Sequence, residues 1–116
     1  MHELALMGDI LNLVEKDAKQ RGFDSVTGIT LLVGILSNAM PDALGMAFDM
    51  YKAQRMTMLT EDAALEMLIE EARASCPHCQ TTYTPTHRIA ICPDCSLPGG
   101  QLTTGQSFQV KSYEGS

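Results

Sequence analysis

The feature that most constrains this chain is a pair of Cys-x-x-Cys motifs, Cys76 with Cys79 and Cys92 with Cys95, separated by twelve residues. That spacing leaves room for a short hairpin that folds one pair onto the other, so four thiols meet at one point. Four sulfur ligands around a tetrahedral zinc, with no position left open for a substrate, is the usual outcome and makes such a site structural. A redox dithiol, which needs only one pair, and a four-cysteine iron site are the competing chemistries. A turn-forming run follows at residues 96–100. Residues 76–95 are therefore expected to form a separate small module.

At 116 residues the chain has length for one compact domain, or for one domain with a small satellite, which excludes multidomain enzymes. Fourteen acidic residues against eight basic ones give a net charge of -6, and the cations are scattered from Lys16 to Lys111. With no Trp and 5% aromatic residues, neither phosphate attraction nor base stacking is well supplied, so no nucleic-acid partner is expected. The longest apolar run, residues 29–36, is eight residues long, far short of the roughly 20 that span a bilayer. The start Met-His-Glu-Leu-Ala carries no charged leader, so a cytoplasmic location is expected, where cysteines stay reduced.

Leu4, Met7, Leu11, Val14 and Ala18 recur at steps of three and four, with Ile10 widening the stripe and Gly22 as a stop, which predicts a first helix beginning almost at residue 1. Ile29, Leu31 and Val33 alternate on one face of a strand, and Val26 falls out of phase across Gly28, which predicts a bulge there. Pro41 opens a second helix whose stripe is Leu44, Ala47, Phe48 and Tyr51. Residues 60–75 are ambiguous: Ala, Leu, Glu and Met favour a helix, yet Ala63, Leu65, Met67 and Ile69 also alternate as one face of a strand. Phe108 and Val110 alternate with Gln109 and Lys111 in a last strand after Gly105.

His2 is informative because an imidazole one residue from a free α-amine can chelate a divalent metal together with the backbone nitrogen between them. Such square-planar, nitrogen-rich sets suit Ni(II) or Cu(II); the competing reading is a solvated terminal side chain. His78 and His87, inside and after the first cysteine pair, read as exposed loop residues or as groups that respond to pH near the metal. Among eight methionines, Met7 and Met67 fall on core faces, while Met46, Met50, Met56 and Met58 are candidates for a partner surface. Glu61, Asp62, Glu66, Glu70 and Glu71 read as a solvated face. No phosphate loop, Ser-His-Asp ordering or paired-carboxylate pocket is evident, and no catalysis is expected.

Four features together resemble the HypA (HybF) family of hydrogenase maturation proteins. They are the Met1-His2-Glu3 start, Val33-Gly34 with Ser37, the Cys76, Cys79, Cys92, Pro93, Cys95 motif, and the closing set Gly105, Phe108, Val110, Ser112, Tyr113 and Glu114. The resemblance implies an α+β fold, two helices packed on a small three-stranded sheet with an inserted four-cysteine zinc module, and it implies a strand at residues 65–69. It further implies a nickel metallochaperone that holds structural Zn(II) at the four cysteines. Transported Ni(II) would bind at Met1, His2 and Glu3 and pass to a [NiFe]-hydrogenase large-subunit precursor, with a maturation GTPase of the HypB type as partner and the chain a monomer or homodimer. Gln80 and Ser107 stand where the family commonly has glycine and an acidic residue, and a glycine usual near Asp62 is missing. The alternative function is a zinc-ribbon adaptor that binds a protein or nucleic acid without a second metal, and it is indifferent to His2.

Overall fold

A computed structural model describes residues 2–55, 57–85 and 90–116 of the chain. The first helix, α1, runs His2–Gln20 and buries Met7, Ile10, Leu11, Val14 and Ala18, the stripe its periodicity predicts. Gly22, at φ +80°, ends it in the left-handed conformation that glycine adopts without steric cost. The central strand, β1, is Val26–Gly34, and its pairing register shifts between Val26 and Gly28, where the bulge was expected. Helix α2, Pro41–Gln54, starts with Pro at its first turn and buries Leu44, Ala47 and Phe48.

Residues 59–70 form strand β2, Leu59–Glu70, parallel to β1, so the strand reading prevails over helix propensity. Helix preference is worth only tenths of a kcal/mol per residue, whereas burying a Leu or Met side chain contributes roughly 1.5–3 kcal/mol. Ala63 is buried, and Leu65 and Met67 pack on the core beneath the helices, so alternation serves this segment better than a helical stripe. Ile69, the last residue of that face, stays 51% exposed. A parallel pair needs a long crossover, and α2 supplies it. The last strand, β6 at Phe108–Gly115, pairs antiparallel on the other side of β1 and completes the order β2-β1-β6.

Both helices cover one face of this sheet, where Val26, Ile29, Leu31 and Val33 are buried under Met7, Leu44 and Phe48. Met58 belongs to this core rather than to an exposed surface: its side chain packs on the cluster and its N–H donates to Glu15 Oε1 at 2.6 Å. Met56 lies outside the described residues.

The cysteines sit on a second small sheet of order β4-β3-β5, made of β3 Arg73–Ser75, β4 Thr82–Tyr83 and β5 Gln101–Thr104. The two sheets meet where the chain leaves and returns. Glu70 Oε1 accepts the Gly105 N–H at 2.6 Å, and the Gly105 carbonyl accepts the Leu36 N–H at 2.7 Å. Gly105 itself, at φ +101°, lies so near Ala72 that an added Cβ would come within 2.6 Å of its Cα. Glu70 is thus half-buried at this crossing, whereas Glu61, Asp62, Glu66 and Glu71 are solvated as expected.

Candidate metal centre

Each cysteine pair closes the same turn. The Gln80 N–H donates to the Cys76 carbonyl at 2.9 Å and the Ser96 N–H to the Cys92 carbonyl at 2.8 Å; the Cys76 and Cys92 N–H groups in turn reach Thr81 O at 3.0 Å and Leu97 O at 3.1 Å. Gln80 and Ser96 occupy the left-handed region at φ +62° and +59°. The turn that a glycine usually makes therefore forms without one, at a cost in backbone strain.

The two turns face each other. All four sulfurs lie within 4.8 Å of one another, with Cys76 to Cys95 and Cys79 to Cys92 each 3.6 Å apart. A disulfide bond is about 2.05 Å long, so these thiols are not paired. A tetrahedron with metal–sulfur bonds of about 2.3 Å has edges near 3.8 Å, which this spacing fits. Cys76 and Cys92 are buried beside Ala74, Tyr83 and Ala90, Cys95 is half-buried, and Cys79 is exposed.

Charge reinforces the geometry. The backbone N–H groups of Cys79 and His78 stabilise the Cys76 thiolate and bring its thiol down to about 6. At Cys95 the Leu97 N–H favours the thiolate, but burial and the sulfurs of Cys76, Cys92 and Cys79 push the thiol up to about 12. Four negative sulfurs so close together repel one another, and a central cation turns that repulsion into attraction. The residues therefore fit a metal ion held by Cys76, Cys79, Cys92 and Cys95. Two neighbours had no signal in the sequence: the Thr81 hydroxyl meets Cys79 Sγ at 3.2 Å and donates to Asp94 Oδ2 at 2.9 Å, linking the two turns.

A match to the HypA family model, described as hydrogenase/urease nickel incorporation, metallochaperone, spans residues 1–115. The chain belongs to the HypA family. It is 32% identical over 115 residues to a hydrogenase maturation factor HypA of Moorella thermoacetica, covering 99% of each chain, and 32% identical over 114 residues to one of Aquifex aeolicus, covering 98% of this chain and 96% of that one. A solution structure of a HypA protein shares the fold with a TM-score of 0.68 at 21% identity, over 99% of this chain and 96% of that one. The solution structure of the Ni metallochaperone HypA from Helicobacter pylori does so at 0.65 and 19%, over 97% and 96%. The α+β architecture that the resemblance implied is the one found.

The remaining site candidates lie at the start of α1. His2 is exposed, its Nδ1 3.6 Å from Glu3 Oε2, and that carboxylate accepts the Met40 N–H at 3.4 Å. Its own N–H, then those of Met40 and the His2 ring, outweigh desolvation and hold the Glu3 carboxyl below the usual range. His78 is exposed beside the cysteine turns; Met1 and His87 lie outside the described residues. Among the described residues no helix is long and apolar enough to cross a membrane.

Proposed function

We propose that this chain is a nickel metallochaperone that accepts Ni(II) at its amino terminus and delivers it to a [NiFe]-hydrogenase precursor, with a GTPase of the HypB type as partner and without catalysing a reaction. Family membership supports the class, and the observation that carries the site is the placement of His2 and Glu3 at the open first turn of α1. The first four N–H groups of a helix have no intrahelical acceptor, so ligation by the amides at His2 and Glu3 breaks no helical hydrogen bond. Helical ψ near -42° also keeps successive backbone nitrogens on the same side, closer to a five-membered chelate than the +135° of a strand. The ligand set is then the Met1 α-amine, the His2 and Glu3 amide nitrogens and one His2 imidazole nitrogen, which suits Ni(II) in a square plane.

In this reading residues 1–74 with 103–116 carry the nickel, and residues 75–102 hold one structural zinc through Cys76, Cys79, Cys92 and Cys95. The zinc cross-links the two turns and fixes the module; the cysteines leave it no open position. The test is metal content and nickel titration of three proteins: the untagged chain, His2→Ala, and the chain with a peptide ahead of Met1. The expected result is about one zinc in each and tight nickel binding in the first alone. Equal nickel affinity in all three would move the site elsewhere and favour a zinc-ribbon adaptor.

A further inference from the structure

Beside the first turn of α1 runs a groove of about 260 Å³ lined by Glu3, Leu4, Ala43, Met46, Ala47 and Met50. Met46 and Met50 stand one helical turn apart on α2, 68% and 46% exposed, and Met40, just before the helix, is 62% exposed. Gly45 has no atom within 4 Å of where a Cβ would be, so the flank is open. Glu3 lines the groove, and Asp42 and Asp49 are exposed on the same helix as the methionines. The neighbouring cation, Lys52, donates to the Ala63 carbonyl at 3.1 Å, lies 5.6 Å from the Phe48 ring centre and pairs with Asp49 at 3.9 Å, while Asp42 and Glu3 keep no described lysine or arginine partner. A second apolar groove, at Leu13 and Val110, carries Lys111 beside Asp17 and makes no such selection.

We infer that this groove is the docking site for an amphipathic helix of a protein partner, with Leu, Phe or Met side chains entering between Met46 and Met50 and Lys or Arg side chains meeting Glu3, Asp42 and Asp49. Unbranched thioethers repack around varied apolar side chains, and the acidic rim chooses the cationic partner. A second copy of this chain, at net charge -6, meets repulsion there. Because Glu3 both lines the groove and bonds to Met40, a docked helix lies along the turn that carries His2, where a metal acceptor or donor must come. In its purpose the docking rests on the nickel-delivery reading, but in its measurement it does not.

The experiment uses the untagged chain without nickel, labelled at its methionine methyls, titrated with a synthetic helical peptide of Leu and Lys and with a matched peptide in which Glu replaces Lys. The Leu/Lys peptide should shift the Met46 and Met50 methyl signals saturably, leave the buried Met7 signal in place, and bind at least tenfold more weakly to a Met46→Ser, Met50→Ser variant that keeps its helical circular dichroism. The Leu/Glu peptide should shift neither. The inference is overturned if both peptides bind alike, if the double variant binds as tightly as the parent, or if the two methyls shift with protein concentration alone, which would make the occupant a second copy. Failure here leaves nickel binding at His2 untouched, and loss of nickel in His2→Ala leaves this docking untouched.

Discussion

The phenol oxygen of Tyr51 donates to the Leu4 carbonyl at 3.1 Å, so α2 holds the first turn of α1. Gly8 makes room for it: a Cβ there would come within 2.7 Å of the phenol oxygen. Alanine at a helix interior gains about 1 kcal/mol over glycine, and a hydrogen bond contributes about as much. Gly8→Ala should thus leave thermal stability nearly unchanged or lower it in the parent, yet raise it by about 1 kcal/mol in a Tyr51→Phe background, where the obstructing oxygen is gone. Additive effects in this cycle would show that the contact does not hold the turn.

Gln80 and Ser96 hold left-handed backbone without being glycine. Gln80→Gly relieves strain on the order of 1–2 kcal/mol and loses part of it to the entropy of the unfolded chain, for a net gain of roughly 0.5–1 kcal/mol in the metal-bound module. The midpoint of chelator competition should move up accordingly. A lower midpoint would mean that the glutamine side chain has a role the backbone does not reveal.

Thr81 links the cysteine turns through Cys79 and Asp94. Thr81→Val should weaken metal retention roughly 10-fold to 100-fold, as loss of such supporting contacts does elsewhere. Complete chelation should expose residues 73–104 to protease while β1 keeps its amide protection, because metal affinity is part of the small module's folding energy. A metal-free chain with an unchanged cleavage pattern would contradict this.

Asp17 accepts from the Tyr113 hydroxyl and from Arg21 Nε, the latter at 2.8 Å, and in that order they hold its carboxyl below the usual range. A lowered carboxyl stabilises the fold fully above its unfolded value of about 3.9 and stops doing so as pH falls through the folded value. The same bond, then burial, raises the Tyr113 hydroxyl, whose contribution is present below about 10 and fades above it. Tyr113→Phe should lower the melting temperature at pH 7, with the gap to the parent closing below about pH 4. A gap that persists into acid would mean that the hydroxyl contributes without the Asp17 charge.

The residues that speak plainly in the sequence are those whose partners are close along the chain. The stripe from Met7 to Ala18, the bulge at Gly28, Pro41 at the helix start and the paired cysteines all reflect local geometry. Leu65 and Met67 were ambiguous because their deciding partners, Ile29 and Leu31, are on a parallel strand reached through all of α2. Strands β3, β4 and β5, of three, two and four residues, are too short to leave a periodic mark. Met58 was open to misreading because an isolated methionine in a loop carries no sign of the Glu15 contact that draws its segment inward.

β1 takes β2 on one side and β6 on the other, and its partner Phe108 for Val33 lies beyond the whole cysteine module. During synthesis, then, one edge of the most apolar strand stays bare until the ribosome has finished the segment that binds metal. Contacts so distant along the chain form slowly. The order of events is thereby written into the topology: the four thiols are made, and can be filled, before the main sheet is sealed, and a chain still short of β6 is the species that offers a naked strand edge to aggregation or to a chaperone.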